Sequence, residues 1–348
     1  MPYPRGTAAS QRYRFEQYLK ILEDGEFDWK IAPFINTDTW EILYHKGHYF
    51  KKAWGYFIGF LNRILLLLNI RKYHWIFIHR EAIILGPALF EWILVKLFRK
   101  QIIYDFDDAI WITRDSSNNR LLNLFRATNK TSQICRLSQR VCVGNSFLAD
   151  YARKFNSQVH VIPTTIDTQH KHCILHHHQS DKTVIGWTGS HSTLPFLFNI
   201  IPVLKRLEEN YNFEFQVIAD QNPHLPLKSY SYKIWDKESE IDDLMDIDIG
   251  LMPLPDNEWS LGKCGLKALQ YMALGIPAVV SAIGANNDIV SNQLDGLHCK
   301  NNEEWYFNIE KLIVDPQLRF EMGRKGRQKV IRDYSVVADT PAFLSLFV

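Results

Sequence analysis

Two glycines at the predicted start of a helix in the second half of the chain suggest an anion-binding turn. The run IDIGLMPLPDNEWSLGKCGLKALQYMALGIPAVVSA from Ile247 begins with an apolar strand and ends with a second buried strand. Between the strands, Ser260 is a predicted N-cap, and apolar residues recur at helical spacing from Leu261. Gly262 and Gly265 are therefore predicted to lie in the first turn of this helix.

Lys263 and Lys267 add positive charge to the predicted turn. The first N–H groups of a helix have no intrahelical partner, and the helix dipole favours an anion there. Glycine also lets a ligand approach the backbone closely. We expect a diphosphate to bind here, the alternative being a solvated lysine face on a frayed helix start. A P-loop is excluded because Cys264 follows Lys263.

Polar side chains also follow two predicted strands of the first half. The strand QIIYDFDDAIW ends in Asp105, Asp107 and Asp108, and the strand HWIFIHRE ends in Arg80 and Glu81. Strands of parallel sheets deliver side chains to the crevice at their carboxyl ends. The aspartates could bind a divalent metal, take part in proton transfer, or cap the next segment through Asp108. Arg80 and Glu81 could instead pair with each other.

Two further features of the second half could contact the same ligand. A strand from Thr183 runs into a turn of small residues, where Gly189 and Ser190 would offer backbone N–H groups to the distal phosphates. Ser192 or Thr193 would cap the helix that follows. Trp235 could stack on a base, or it could be a core residue.

These residues need a scaffold, which the alternation of strand and helix patterns provides. The predicted strands of the first half are DWKIAPFI, HWIFIHRE, QIIYDFDDAIW, RVCVGNS and VHVIPTTID. Apolar, β-branched strands separated by helices predict parallel sheets covered on both faces. The length of 348 residues predicts two domains rather than one.

The polar run that begins after Asp167 is the predicted linker. Its histidines raise the question of a metal site. Six possible ligands crowd into this run: His170, His172, Cys173, His176, His177 and His178. Zinc sites require ligands that flanking structure holds in place, and no paired turn is present here. We therefore expect a solvated connection and no bound metal.

The overall composition restricts the class of protein and its partners. Hydrophobic residues make up 46% of the chain and charged residues 22%, which is typical of a globular protein. A net charge of +2 predicts no general attraction to nucleic acid. The five cysteines form no Cys-x-x-Cys pair, which favours a reducing, cytoplasmic location.

Two long apolar runs, one from Trp54 and one from Ala82, raise the question of membrane contact. Arg63 lies near the centre of the first run and Glu91 near the centre of the second, so neither is expected to span a bilayer. We predict buried helices. The alternative is peripheral contact at the inner face of the membrane, which nearby lysines and aromatic residues favour.

The run KCGLKALQYMALGIPAVVS resembles the C-terminal signature of retaining glycosyltransferases of family 4, which have the GT-B fold. That family brackets the turn with two glutamates separated by seven residues; the first, with adjacent backbone, holds the donor sugar, and the second holds the nucleotide ribose. In this sequence the first position is Gly262 and the second is Gln270. Gln270 can still bond a ribose hydroxyl, whereas Gly262 cannot replace a carboxylate. The resemblance thus assigns donor binding to the backbone from Gly262 through Cys264 to Gly265, and to Gln270.

The resemblance implies two Rossmann-like, doubly wound domains that face each other across a cleft. It implies domains at 1–166 and 183–332, a linker at 167–182, and a segment at 333–348 that returns to the first domain. It also implies that a first strand is missing from the N-terminus, where Gly6 and Arg14 would line the cleft. The metal-dependent alternative, a single-sheet GT-A transferase with metal at the aspartates, is disfavoured because a complete second half carries its own anion turn.

The expected activity is transfer of a hexose from a nucleotide-diphosphate sugar to a saccharide or lipid-linked acceptor, in polysaccharide biosynthesis. Transfer would proceed with retention and without metal, and Lys263 would stabilise the departing diphosphate. Asp107 and Asp108 would act on the acceptor. A different hypothesis, motivated by Gly262, is a non-catalytic GT-B module that binds a sugar nucleotide or assists an assembly.

Overall fold

Runs of β-branched and aromatic residues form strands that alternate with helices, and these elements form two α/β units. The computed structural model describes residues 1–45, 47–112, 129–176 and 182–348. Unit 1 comprises Met1–Pro163 and Thr340–Val348, and unit 2 comprises Thr164–Asp339. The divisions thus fall after Pro163 and Asp339, whereas the sequence predicted them after residues 166 and 332.

The sheet of unit 1 has four parallel strands in the order β1-β2-β3-β4. They are β1 Trp75–His79, β2 Gln101–Phe106, β3 Arg140–Val143 and β4 Val159–Val161. The central strands β2 and β3 are almost entirely buried, as their uninterrupted apolar runs predict. All four correspond to predicted strands. The register of β1 with β2 places His79 beside Asp105.

Seven α-helices of unit 1 surround this sheet in the described residues. They are α1 Ala9–Arg14, α2 Leu19–Asp24, α3 Thr37–Leu43, α4 Tyr49–Asn69, α5 Leu89–Lys96, α6 Lys130–Leu137 and α7 Ser146–Arg153. The C-terminal segment completes the unit. Phe343 stacks on Tyr18 with ring centroids 4.1 Å apart, and Trp75 Nε1 donates to the Phe347 carbonyl at 2.9 Å.

The predicted strand DWKIAPFI is wrong. Residues 28–35 have no regular structure, although Phe34 and Ile35 are buried and their N–H groups donate to the carbonyls of Met1 and Pro2. Pro33 has no N–H and cannot contribute to a strand ladder, which limits pairing to these two bonds. No strand precedes Trp75 in residues 1–45 and 47–74.

The long helix α4 differs from the buried helix that we expected. Only Gly55, Gly59 and Arg63 are buried, and most of its large apolar side chains are exposed. The stretch Tyr49–Lys72 is long and apolar enough to cross a membrane, a criterion that core helices of soluble proteins also meet. For α5, burial of Phe90 and Leu94 confirms that one face packs inward.

Unit 2 contains a six-stranded parallel sheet in the order β10-β9-β8-β5-β6-β7. Its strands are β5 Thr183–Gly189, β6 Phe213–Ala219, β7 Tyr230–Ile234, β8 Ile249–Met252, β9 Ala278–Ser281 and β10 Gly296–Cys299. The chain moves outward from β5 to β7, then returns to the other side of β5 at β8. This is a doubly wound sheet, as predicted, and β5 and β8 form its switch point.

Helices on the two faces of this sheet enclose its core. They are α8 Ile201–Glu208, α9 Glu240–Met245, α10 Glu258–Leu261, α11 Leu266–Ala273, α12 Asn286–Ile289, α13 Asn302–Val314 and α14 Pro316–Asp333. The last helix, α15 Val336–Leu344, begins in unit 2 and ends in unit 1, because the division falls after Asp339. A 3-10 helix, Leu194–Asn199, precedes α8 where the sequence predicted one continuous α-helix. Its first position follows Thr193, whose side chain does not cap it.

The described part of the predicted linker, residues 167–176, is exposed or half-buried except at His172, and two of its histidines contact other parts of unit 2 or its interior. His172 is fully buried, and His176 Nε2 lies 3.0 Å from Asp248 Oδ1. Arg327 holds this segment, because its guanidinium donates to the carbonyls of His172 and Ile174 at 3.0 and 3.2 Å. His177 and His178 lie outside the described residues.

Candidate functional site

The switch point of unit 2 is where a doubly wound sheet offers a ligand its best crevice. β5 pairs with β8 through Ile185 opposite Ile249 and Gly186 opposite Gly250. Connections leave the carboxyl ends of these two strands toward opposite sides, which opens a space between the loops. The loop after β5 contains the predicted phosphate residues, and the loop after β8 leads to the glycine–lysine turn.

That turn lies before a helix and not within its first turn. Asn257 caps the short helix α10 by accepting from the Ser260 N–H at 3.0 Å, so Ser260 is not the cap. The chain then passes through Gly262 to Gly265, and α11 starts at Leu266. Gly265 has φ +67, a conformation that disfavours other residues. The predicted helix start at Leu261 is therefore wrong, because a left-handed residue cannot continue a right-handed helix.

The corrected start still leaves the N-terminus of a helix directly after the glycine–lysine turn. The first N–H groups of α11 have no intrahelical partner, and the positive end of its dipole faces the turn. Lys263 Nζ lies 3.4 Å from the Trp259 ring centroid, and Lys267 Nζ lies 5.3 Å from that of Trp187. An indole ring holds an ammonium in place without neutralising its charge. Both lysines can thus present charge at the start of α11.

Gly189 ends β5 and Ser190 begins a loop that is held by its own side chains. Ser190 N–H donates to Thr193 Oγ1 at 3.3 Å, and a Cβ at Gly189 would lie 2.3 Å from the Trp187 ring. His191 contacts Asp220 through Nδ1 at 2.5 Å, and its N–H donates to the same carboxylate at 2.6 Å. His191 is thus an ionisable group in this loop that sequence reasoning missed, because its partner lies beyond another strand.

Gln270 is joined to Trp235 through a carboxylate that no sequence motif marked. Glu240 Oε1 accepts from Gln270 Nε2 at 3.4 Å and from Trp235 Nε1 at 3.3 Å. Glu240 and Gln270 are both buried. Glu240 begins α9, whose run of acidic residues gave no sign of which one points inward. The predicted ribose and base residues therefore share one carboxylate.

In unit 1, a buried ion pair underlies the strand-end aspartates. Asp105 Oδ2 lies 2.7 Å from His79 Nδ1, and Asp105 Oδ1 accepts from Arg14 at 2.5 Å. Arg14 also donates to the Ile162 carbonyl. All three charged or ionisable groups are buried, so Arg14 and Asp105 lie inside unit 1 and do not line a surface. Gly6, the other predicted N-terminal cleft residue, donates its N–H to Glu16 Oε2 at 2.8 Å.

Ser10 connects this buried pair to a second, more accessible set of charges. Its Oγ lies 2.7 Å from both His79 Nε2 and Asp107 Oδ1. Arg80 donates to Asp107 at 2.8 and 3.0 Å and to Asp108 at 3.2 Å. Sequence reasoning missed Ser10, which is on α1 and far from the strands in sequence. We refer to these seven residues, Ser10, Arg14, His79, Arg80, Asp105, Asp107 and Asp108, as the strand-end cluster.

The pairing of Arg80 with Glu81, considered from the sequence, is wrong. Arg80 has φ +58, which turns it toward Asp107, while Glu81 Oε2 accepts from Lys130 Nζ at 2.9 Å. A residue other than glycine rarely adopts this backbone conformation. The two aspartates supply the charge that holds Arg80 there.

The electrostatics of the strand-end cluster favour ionised aspartates. Burial alone would raise the pKa of Asp105, but Arg14 and His79 lower it below its ordinary value. Burial likewise opposes charge on Asp107, and Arg80 and His79 lower its pKa. Burial lowers the pKa of His79 below 6.5, although Asp105 opposes this. A neutral His79 donates from Nδ1 to Asp105, while the single O–H of Ser10 donates to Asp107.

No set of metal ligands is present among the described residues. In residues 1–45, 47–112, 129–176 and 182–348, no three His, Cys, Asp or Glu side chains are arranged to hold a metal ion. At the strand-end aspartates, Arg80 occupies the position between Asp107 and Asp108 that a cation would take.

Comparison with known proteins places these features in context. The sequence model of the family described as "Glycosyl transferases group 1" matches residues 234–329, which include Trp235, the glycine–lysine turn and Gln270. A search of curated proteins gave no match.

Several solved structures are similar to most of the chain. A glycosyltransferase from Rickettsia africae is 14% identical, with 94% of this chain and 86% of that chain covered at a TM-score of 0.63. Anabaena HepE, solved with UDP-glucose, is 12% identical, with 95% and 88% covered at a TM-score of 0.63. Sucrose-phosphate synthase from Thermosynechococcus elongatus is 13% identical, with 83% and 76% covered at a TM-score of 0.59.

Proposed function

We propose that this chain, which has the GT-B fold and whose residues 234–329 match the sequence model of the group 1 glycosyl transferases, transfers a hexose from a nucleotide-diphosphate sugar. The acceptor is a saccharide or a lipid-linked saccharide, and transfer proceeds with retention and without metal. Unit 2 binds the donor and unit 1 the acceptor. The fold also rules out the single-sheet GT-A alternative, because each unit has its own parallel sheet.

The observation that carries the proposal is the position of the glycine–lysine turn at the switch point of unit 2. During transfer, the bond between the anomeric carbon and the distal phosphate oxygen breaks, and negative charge develops on that oxygen. The N–H groups at the start of α11, together with Lys263 and Lys267, stabilise this charge. Gly265 permits the close approach of the diphosphate to the backbone.

Glu240 and Gln270 recognise the nucleoside in this proposal. Gln270 takes the place of the second glutamate of the family signature, and the Glu240 carboxylate lies 3.4 Å from its amide. Glu240 therefore supplies a carboxylate near the ribose hydroxyls that Gln270 alone would lack. Trp235, held by the same carboxylate, is positioned for stacking on the base.

Asp107 and Asp108 orient the acceptor hydroxyl. Because the pKa of Asp107 is lowered, this carboxylate accepts a hydrogen bond but is a weak base. The acceptor oxygen bonds to the anomeric carbon on the face that the diphosphate leaves, and its proton passes to the departing phosphate oxygen. Asp107 then contributes orientation, with Arg80 and Ser10 keeping it in place.

A ligand screen followed by a transfer assay tests the proposal. A ligand that binds only the folded protein raises its melting temperature, so a panel of UDP- and GDP-sugars identifies the donor. The structure of HepE with UDP-glucose makes a UDP-hexose the first donor to test. We expect release of the nucleoside diphosphate in the presence of an acceptor, unchanged by EDTA. Absence of a melting shift with every nucleotide sugar would contradict the donor site.

A second candidate function follows from Gly262, where the family signature has a carboxylate. Without it, the chain could bind a sugar nucleotide and not transfer the sugar. Calorimetry together with the transfer assay separates the two functions, because binding without turnover on any acceptor would favour a non-catalytic GT-B module.

A further inference from the structure

Helix α4 exposes its apolar side chains along one continuous face. Tyr49 and Phe60 are exposed beside this face, and the exposed large residues that form it are Phe50, Trp54, Phe57, Leu61, Ile64, Leu65 and Leu68. Their spacing of three and four residues places them on one side of the helix. We call these seven residues the outer face of α4. Its exposure is high: 93% for Phe50, 63% for Trp54 and 77% for Leu68.

The opposite side of α4 is fastened to unit 1 by contacts that prevent the helix from turning over. Arg63 donates to the carbonyls of Ala82, Met1 and Pro33 at 2.7, 3.2 and 3.4 Å. Gly55 and Gly59 allow the helix to approach its neighbours closely. A Cβ at Gly55 would lie 2.0 Å from Thr39 Oγ1, and one at Gly59 would lie 2.4 Å from the Phe34 carbonyl oxygen. The outer face therefore cannot be buried by rotation of α4.

The charges around the outer face indicate what covers it. The stretch Tyr49–Lys72 contains no Asp or Glu, and Lys51, Arg71 and Lys72 are exposed near its two ends. A second copy of this chain would bring like charges together. An anionic phospholipid surface instead offers phosphates to the basic residues and acyl chains to the apolar ones. Trp54 suits the boundary between these two layers.

We propose that the outer face of α4 docks unit 1 on an anionic membrane surface, with the helix axis parallel to that surface. The helix lies in the interface and does not cross the bilayer, because crossing would break the three Arg63 hydrogen bonds and place a guanidinium in the acyl layer. This inference stands on α4 alone and does not depend on the proposed transfer reaction.

Vesicle sedimentation with the full chain tests the proposal. Vesicles of equal parts phosphatidylglycerol and phosphatidylcholine are compared with vesicles of phosphatidylcholine alone. We expect the protein to sediment with the anionic vesicles and to bind the neutral ones at least tenfold more weakly. The double variant Trp54→Ser, Leu65→Gln should lose at least tenfold in partitioning. Lys51→Gln with Lys72→Gln should remove most of the dependence on anionic lipid.

A matched control distinguishes binding through the outer face of α4 from nonspecific binding through other exposed apolar side chains. Phe307→Ser with Val314→Gln, on α13 of unit 2, removes two apolar side chains that are 55% and 58% exposed, against 63% and 57% for Trp54 and Leu65. This variant should bind vesicles like the unmodified protein, and all variants should melt at a similar temperature. The proposal would be overturned if Trp54→Ser, Leu65→Gln bound anionic vesicles as well as the unmodified protein does, or if the unmodified protein did not bind them. A dimer that Trp54→Ser, Leu65→Gln converts to monomer would overturn it in favour of a second copy.

Discussion

The strand-end cluster of unit 1 and the glycine–lysine turn of unit 2 arrange charge in opposite ways. In the cluster, Asp105 and Arg14 neutralise each other in a buried setting, and Arg80 does the same for Asp107 at its edge. In the turn, backbone N–H groups, two glycines and two lysines held against indole rings collect positive charge at a helix start. A neutralised cluster positions groups, whereas an accumulation of positive charge prepares a site for an anion.

The largest effect is expected from breaking the buried pair. Asp105→Ala leaves Arg14 buried without its carboxylate and should lower the free energy of unfolding by about 3–5 kcal/mol. Urea unfolding measures this. Asp150→Ala is the control, since Asp150 pairs with Arg153 on the surface at 3.1 Å and should cost less than about 1 kcal/mol. Similar losses for the two variants would show that the pair contributes no more than a surface one.

On the other side of the comparison, Lys263→Ala should affect turnover and leave stability almost unchanged. Loss of one group that stabilises developing charge typically lowers the rate by about 10²–10³-fold. A donor-hydrolysis or transfer assay under saturating donor measures it. Lys325→Ala, an exposed lysine on α14, is the control and should leave the rate unchanged. An undiminished rate in the Lys263 variant would remove the turn from the mechanism.

A smaller effect is expected from changing the backbone of the turn. Gly265→Ala forces alanine into a left-handed conformation, which costs about 1–2 kcal/mol, and places a Cβ 2.1 Å from Ile289 Cδ1. We expect weaker nucleotide binding by calorimetry along with this loss of stability.

Gly86→Ala provides the matched comparison. Gly86 has φ +80, and no atom lies within 4 Å of the position that an alanine Cβ would take, so it shares the conformational cost without the clash. The substitution should leave nucleotide affinity intact. Equal affinities in the two variants would mean that the shape of the turn does not matter for binding.

The smallest effect is a pH dependence of stability to which His79 of the strand-end cluster should contribute. Because the pKa of His79 is lowered by burial, the unfolded chain binds more protons than the folded one as pH falls below 6.5. Stability should therefore fall between pH 7 and 5. Asp105 and Asp107, whose pKa values are also lowered, add their loss only at lower pH, near 3.8 and below.

His79→Gln isolates this contribution. The variant should lose less stability between pH 7 and 5 than the unmodified chain does, although its stability at pH 7 is lower. The slope of unfolding free energy against pH is the quantity to compare, because other histidines such as His160, whose pKa is also lowered, contribute equally to both proteins. Parallel slopes would mean that His79 is not the group that titrates.

The amino-acid sequence by itself determined most of the strands, although not the absence of one at residues 28–35, together with the doubly wound second half and the glycine–lysine turn. Apolar, β-branched runs are local signals, and a turn that combines glycine with lysine before a helical pattern is local too. The helix start was misplaced because Gly265 adopts a left-handed conformation, and Asn257 caps a short helix of its own. Nothing in the local pattern separates that arrangement from one continuous helix.

Only the tertiary structure decided which polar groups meet. Ser10 reaches His79 and Asp107 across sequence separations of 69 and 97 residues, and Glu240 reaches Gln270 across 30. It also decided that the apolar side of α4 faces outward, because glycines and an arginine fill the inward positions. Hydrophobic spacing reveals that a helix has two faces, but the neighbouring elements decide which face packs inward. Here Gly55 and Gly59 allow close contact with those neighbours, and three of their carbonyls bind Arg63.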